Sequence, residues 1–180
     1  MAAKRKSSRG KQRSASARGK ANAISMLTDD HQRVMQLFER FENAQRDEQK
    51  ERLATEICNE LAVHAQLEEE IFYPAAREAI GEEDLMDEAE VEHASAKELI
   101  AQIEAGSSKD PLWEARVTVL GEYIRHHVKE EQGEMFKKVR ASELDLKSLG
   151  EQIQARKQRL MQGKKPGRKG LTGLVERALS

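Results

Sequence analysis

Four stretches of the 180-residue chain repeat apolar residues at helical spacing, and each places one histidine inside its own apolar stripe. Leu27, His31, Val34, Met35, Phe38 and Phe41 share one face. Leu53, Ile57, Leu61, His64, Glu68 and Ile71 share a second. Met86, Ala89, His93, Ala96, Ile100 and Ile103 form the third, and Val117, Leu120, Ile124, His127 and Glu131 the fourth. Apolar residues recurring at three and four positions define one side of an α-helix. Such helices must bury that side against one another, so the histidines have to go inside with it.

Breaks separate the stretches. A polar segment at Gln45–Glu51 follows the first, and Gly81 closes the second, in which Pro74 should kink or end the helix nearby. Asp29 and Asp30 sit near the start of the first helix, where negative charge suits the helix dipole. Gly106-Ser107-Ser108 is a turn, and Asp110-Pro111 reads as an N-cap with proline at the first helical position. A shorter fifth helix is expected from about Ser142, with Leu146, Leu149, Ile153 and Leu160 as its stripe. Four helices of roughly 20 residues on short loops favour an up-down four-helix bundle. Aromatic content of only 4% agrees with an all-α chain.

The chemistry lies in the histidines. Two are followed four residues later by glutamate, in His64-x-x-x-Glu68 and His127-x-x-x-Glu131, and such positions are neighbours on one helix face. One core histidine is ordinarily satisfied by a hydrogen bond. Four in register with two carboxylates demand a partner, because burying charge costs several kcal/mol per ion unless it is paired. A borderline divalent metal, iron first, suits this donor set, and manganese or zinc would also accept it. The spacing is duplicated: 62 residues from His31 to His93, 63 from His64 to His127 and 63 from Glu68 to Glu131. Phe72 and Phe136 follow the two glutamates at nearly matching places. A repeated two-helix unit would set two ligand groups face to face, with two metals bridged by Glu68 and Glu131.

Leu27-Thr28-Asp29-Asp30-His31, His64-Ala65-Gln66-Leu67-Glu68 with Phe72-Tyr73-Pro74, Glu92-His93, and His127-Val128-Lys129-Glu130-Glu131 together resemble the hemerythrin-like, HHE cation-binding domain family. The resemblance covers about residues 24–140. It implies a hemerythrin-like bundle with a non-haem, oxo- or hydroxo-bridged pair of iron ions that binds a small diatomic ligand such as oxygen or nitric oxide. It also implies His31, His64, His93 and His127 as nitrogen ligands, with Glu68 and Glu131 as bridging carboxylates. The family's oxygen carriers have a further histidine four residues after the one in the third helix; here that residue is Lys97, which cannot ligate while protonated. Glu134 and then Glu60 are the candidates to fill in. His126 falls off the stripe, with Val119, Tyr123 and Glu130, and is assigned to the shoulder of its helix. Tyr73 and Tyr123 are assigned to packing ahead of donating a hydrogen bond to a ligand from behind, and Cys58 to the role of a small hydrophobe.

The net charge of −1 is a cancellation. Residues 1–23 carry eight Lys/Arg and no acid, and residues 156–180 carry eight with one acid, Glu176. The ends thus sum to +15 and the body to −16. The expected organisation is a basic disordered tail (1–23), the bundle (24–140), an accessory helix (141–162) and a second basic tail (163–180). The tails could bind nucleic acid non-specifically by counterion release, without base stacking, since no aromatic residues interleave with the charges. One cysteine excludes a disulfide scaffold or a cysteine-cluster zinc site. No apolar run approaches the roughly 20 residues of a membrane span, and no apolar signal core follows the basic start, so a cytoplasmic protein is expected. Oxygen, nitric-oxide or iron binding or sensing is the leading reading. A di-iron enzyme acting on peroxide or nitrosative damage, and a nucleic-acid-associated protein, are its rivals.

Overall fold

The computed structural model describes residues 22–163, and every regular element among them is helical. Helix α1 spans Ala23–Glu42. Its first turn is closed by a reciprocal cap, in which the Asn22 side chain accepts from the Ser25 N–H and the Ser25 hydroxyl from the Asn22 N–H, each at 2.9 Å. Asp29 and Asp30 therefore fall beyond the first turn, and the cap does the work expected of their charge.

Helix α2 (Asp47–Leu67) runs through a π-helical turn (Glu68–Phe72) into α3 (Tyr73–Ile80). Pro74 lies in the first turn of α3, directly after the π turn has interrupted the α-helical ladder, so its missing donor costs little there. Gly81 ends α3 in the left-handed region at φ 65°, which glycine adopts without a Cβ clash. Helix α4 spans Glu83–Ala105 and α5 spans Trp113–Glu130. Asp110 and Pro111 precede α5 instead of starting it: the Asp110 carboxylate accepts from the Ser107 N–H at 2.7 Å and closes the connecting turn. A second π turn (Glu131–Met135) joins α5 to α6 (Phe136–Ala141). Helix α7 (Leu146–Gly163) begins later than Ser142, where the Asp145 carboxylate accepts from the Lys147 and Ser148 N–H groups at 3.1 and 2.9 Å.

Helices α1, α2, α4 and α5 pack side by side as the bundle, and α7 lies against α1, α2 and the first π turn. Gly150 of α7 meets the start of α1, where an added Cβ would stand 2.8 Å from the Ala23 backbone nitrogen. Seven residues further along each helix, Lys157 reaches Asp30. Helix α7 therefore runs parallel to α1. No helix among the described residues is long and apolar enough to cross a membrane. The expected tails at 1–23 and 163–180 lie outside the described residues except for Asn22, Ala23 and Gly163, and Ala23 already belongs to α1.

The apolar interior is divided in two. One core gathers Val34, Phe38, Ile57, Leu61, Ile100, Trp113 and Leu120. The other gathers Leu27, Leu67, Phe72, Met86, Met135, Phe136 and Ile153. In α1, α2 and α4 the histidine of the stripe falls between a residue of one core and a residue of the other, as His31 does between Leu27 and Val34, and His127 of α5 falls between Ile124 of one core and Met135 of the other, in the π turn. A single polar layer thus separates the two cores.

Candidate metal centre

The layer consists of His31, His64, Glu68, His93, His127 and Glu131, all between 0% and 8% exposed. Each π turn begins at one of the glutamates. A π turn inserts one residue into the helix and rotates everything after it. That rotation buries Phe72 and Tyr73 and leaves Ile71, expected on the core face, only partly buried. It likewise puts Met135 inside in place of Glu134. Phe72 and Phe136 then meet edge to face, with ring centroids 5.5 Å apart, and close the layer from one side.

The imidazoles fall into two pairs around the carboxylates. His31 and His64 bring their Nε2 atoms to 2.9 Å, and the rings of His93 and His127 lie 4.9 Å apart. Glu68 reaches both pairs, with Oε1 3.0 Å from His64 Nε2 and Oε2 3.4 Å from His93 Nε2. Glu131 Oε2 lies 3.2 Å from His31 Nε2. Donor atoms of His31, Glu68, His127 and Glu131 all lie within 4.8 Å of one another, as a group that could hold a metal ion.

Behind the layer, His93 Nδ1 contacts Glu69 at 3.0 Å, His127 Nδ1 contacts Glu92 at 2.7 Å, and Gln132 lies 2.8 Å from His31 Nδ1. His64 Nδ1 is 3.9 Å from Asp30, too far for a hydrogen bond.

Inside the layer the accounting fails. Both oxygens of Glu68, both of Glu131 and Nε2 of His127 are buried without a hydrogen-bond partner, because the close approaches to imidazole lack hydrogen-bond geometry. A buried polar atom left unpaired costs about 1–3 kcal/mol, more if charged. Five such atoms converging on one place, from nitrogen and carboxylate donors, are a donor set that suits a metal ion.

Burial and the close packing of charges pull the groups of the layer in opposite directions. Burial, reinforced by the nearby His64, holds His31 down to about 3. Burial also works against a charged His64, but Glu68 and Asp30 outweigh it and raise this group to about 9. Glu131 is pushed well above the usual carboxylate range by burial and by the charge of Glu68. Glu68 is held well below that range despite burial, chiefly by His64 and His93.

Outside this set the sequence expectations divide. Glu134 faces solvent and pairs with Lys138 at 3.0 Å, because the π turn rotates it away. Glu60 lies at the flank of α2, 4.0 Å from Arg33, and joins no donor group. His126 is 61% exposed, on the shoulder of α5. Lys97 sends its ammonium to Glu69 at 2.6 Å and contributes nothing to the layer.

Tyr73 departs from its packing assignment. Its hydroxyl lies 3.2 Å from His93 Nε2, which brings a seventh side chain to the layer. Burial, with the surrounding carboxylates, raises this phenol well above its ordinary range, so it keeps its proton. Only the rotation at the π turn brings it inward, which a 3.6-residue period does not show.

The sequence pattern of the Hemerythrin HHE cation binding domain matches residues 22–139. The chain belongs to the hemerythrin HHE cation-binding domain family. The HHE match spans the whole bundle and both π turns. A crystal structure of a Hemerythrin HHE cation binding domain-containing protein from Mycobacterium kansasii superposes with a TM-score of 0.68 at 22% identity, over 79% of this chain and 89% of that one. A curated relative from Nostoc sp. (strain PCC 7120), named DNA nickase, is 30% identical over 119 residues. That match takes in 66% of this HHE chain but only 34% of the relative, about a third of its length.

Proposed function

We propose that this HHE domain binds two bridged iron ions in the polar layer and uses them to bind or sense oxygen or nitric oxide, or to hold iron. The observation that carries the reading is the set of five partnerless donor atoms enclosed by four imidazoles. His31 and His64 would hold one ion, His93 and His127 the other, with Glu68 and Glu131 between them. Iron held by these residues would supply the electrons for binding a diatomic ligand. The protein's part is to exclude water with Leu67, Phe72 and Phe136, and to present the Tyr73 hydroxyl at the His93 side. Manganese or zinc would fit the same donors, so metal identity is part of the test.

The decisive measurement is metal content per chain with the visible spectrum, recorded anaerobically after reduction and again after adding oxygen or nitric oxide. Two irons per chain and a ligand-dependent charge-transfer band support the reading. Absence of bound metal, together with unchanged stability of His64→Ala, refutes it. Peroxide turnover that disappears in Glu131→Ala would instead favour the enzymatic alternative.

A second reading has its own observation, the relative named DNA nickase. The basic ends could bring this domain to nucleic acid by counterion release. Salt-dependent DNA binding lost on deleting residues 1–21 and 164–180 supports that reading, and binding that survives the deletion refutes it.

A further inference from the structure

The residues behind the histidines form a closed ring through the bundle. Each stands next in sequence to a member of the layer, and each faces a histidine on the neighbouring helix. Asp30, beside His31, faces His64, and Glu92, beside His93, accepts from His127. Glu69, beside Glu68, accepts from His93, and Gln132, beside Glu131, meets His31. The order runs α1 to α2, α2 to α4, α4 to α5 and α5 back to α1.

The ring is chemically uneven. His93 and His127 both donate Nδ1–H to a carboxylate, at 3.0 and 2.7 Å. Lys97 also fixes the free oxygen of Glu69 at 2.6 Å. His31 has only the neutral amide of Gln132. His64 has Asp30 at 3.9 Å, because Lys157 of α7 holds that carboxylate. An anionic acceptor fixes the ring and makes the opposite nitrogen a better donor; a neutral amide does this less, and a carboxylate beyond hydrogen-bond reach does not.

Resting on the two-ion reading, we infer that Glu69 and Glu92 are positioning residues that make the centre unequal. The ion at His93 and His127 is held tightly, and the ion at His31 and His64 is the one that loads last and leaves first. Gln132 sets the weak side.

The test uses the full chain, loaded anaerobically with ferrous iron and separately with cobalt(II), then challenged with excess chelator. Two ions per chain should leave in two phases. Glu92→Gln and Glu69→Gln should speed the slow phase by about ten- to a hundredfold and leave the fast phase alone. Gln132→Glu should slow the fast phase. Glu92→Asp, which keeps the carboxylate, should recover part of the slow phase, and metal-free melting temperatures establish that each variant folds. Loading that stops at one ion overturns the two-ion reading and this inference with it. Two ions that leave in a single phase, or a slow phase indifferent to Glu92→Gln and Glu69→Gln, overturn this inference alone.

Discussion

Replacing Glu131 by methionine should stabilise the metal-free protein while removing the stabilisation that metal gives. Glu131 is 2% exposed, and neither of its oxygens has a hydrogen-bond partner. Burial and the charge of Glu68 push it well above the usual carboxylate range, so the group lost is a buried acid without a partner instead of a paired charge. Removing one such group relieves about 1–3 kcal/mol. Methionine is close in length and flexible enough to fill the space beside Phe136. For a chain of this size each kcal/mol moves the melting temperature by about 2–4 °C, so a rise of roughly 2–12 °C is expected in chelator. In the wild type, metal at a hundred times its dissociation constant adds about 2.7 kcal/mol, and the variant should gain much less. Thermal unfolding followed by circular dichroism, with chelator and with anaerobic ferrous iron, gives all four values. A variant that melts below the wild type in chelator would show that Glu131 is satisfied in the metal-free state, and would remove the ground for reading the layer as a metal site.

Other expectations follow from packing. Gly150→Ala sets a Cβ against the Ala23 backbone nitrogen at 2.8 Å, and should cost about 1–3 kcal/mol and loosen α7, seen as faster amide exchange in α7 than in α5. Burial first, then the charge of Glu104, pushes the Cys58 thiol up to about 12. At pH 8 roughly one thiol in ten thousand is then ionised, so labelling by a disulfide reagent should be far slower in the folded protein than in urea. Leu67→Ala, at a fully buried position beside Glu68, should cost about 2–5 kcal/mol by urea denaturation.

The stripes on α4 and α5 were legible residue by residue: Met86 through Ile103 and Val117 through Glu131 are buried as their spacing indicates. The six members of the layer share that legibility, because each stands before a π turn or at its first residue, or in a helix without one. What lies after the glutamates was not legible. A period of 3.6 assumes one winding, and both π turns break it at the residue where the chemistry sits. Glu134 was extrapolated from His127 across such a turn, and so was Ile71 from Glu68; both errors have the same rotation as their cause. Tyr73 was ranked for packing ahead of donation to a ligand for this reason too. Asp110-Pro111 failed differently: the aspartate closes its own turn with Ser107 before the helix begins, an alternative that short polar side chains always offer the backbone.

The division of the interior into two apolar cores bears on how the molecule comes apart. Each core has its own aromatic anchors, Phe38 and Trp113 in one, Phe72 and Phe136 in the other. Between them stands a layer whose unpaired donors favour separation as long as no cation joins them. Cooperativity of unfolding then depends on the occupant. With metal, probes in the two halves should report one transition; without it, the fluorescence of Trp113 and the exchange of amides around Phe136 should no longer coincide.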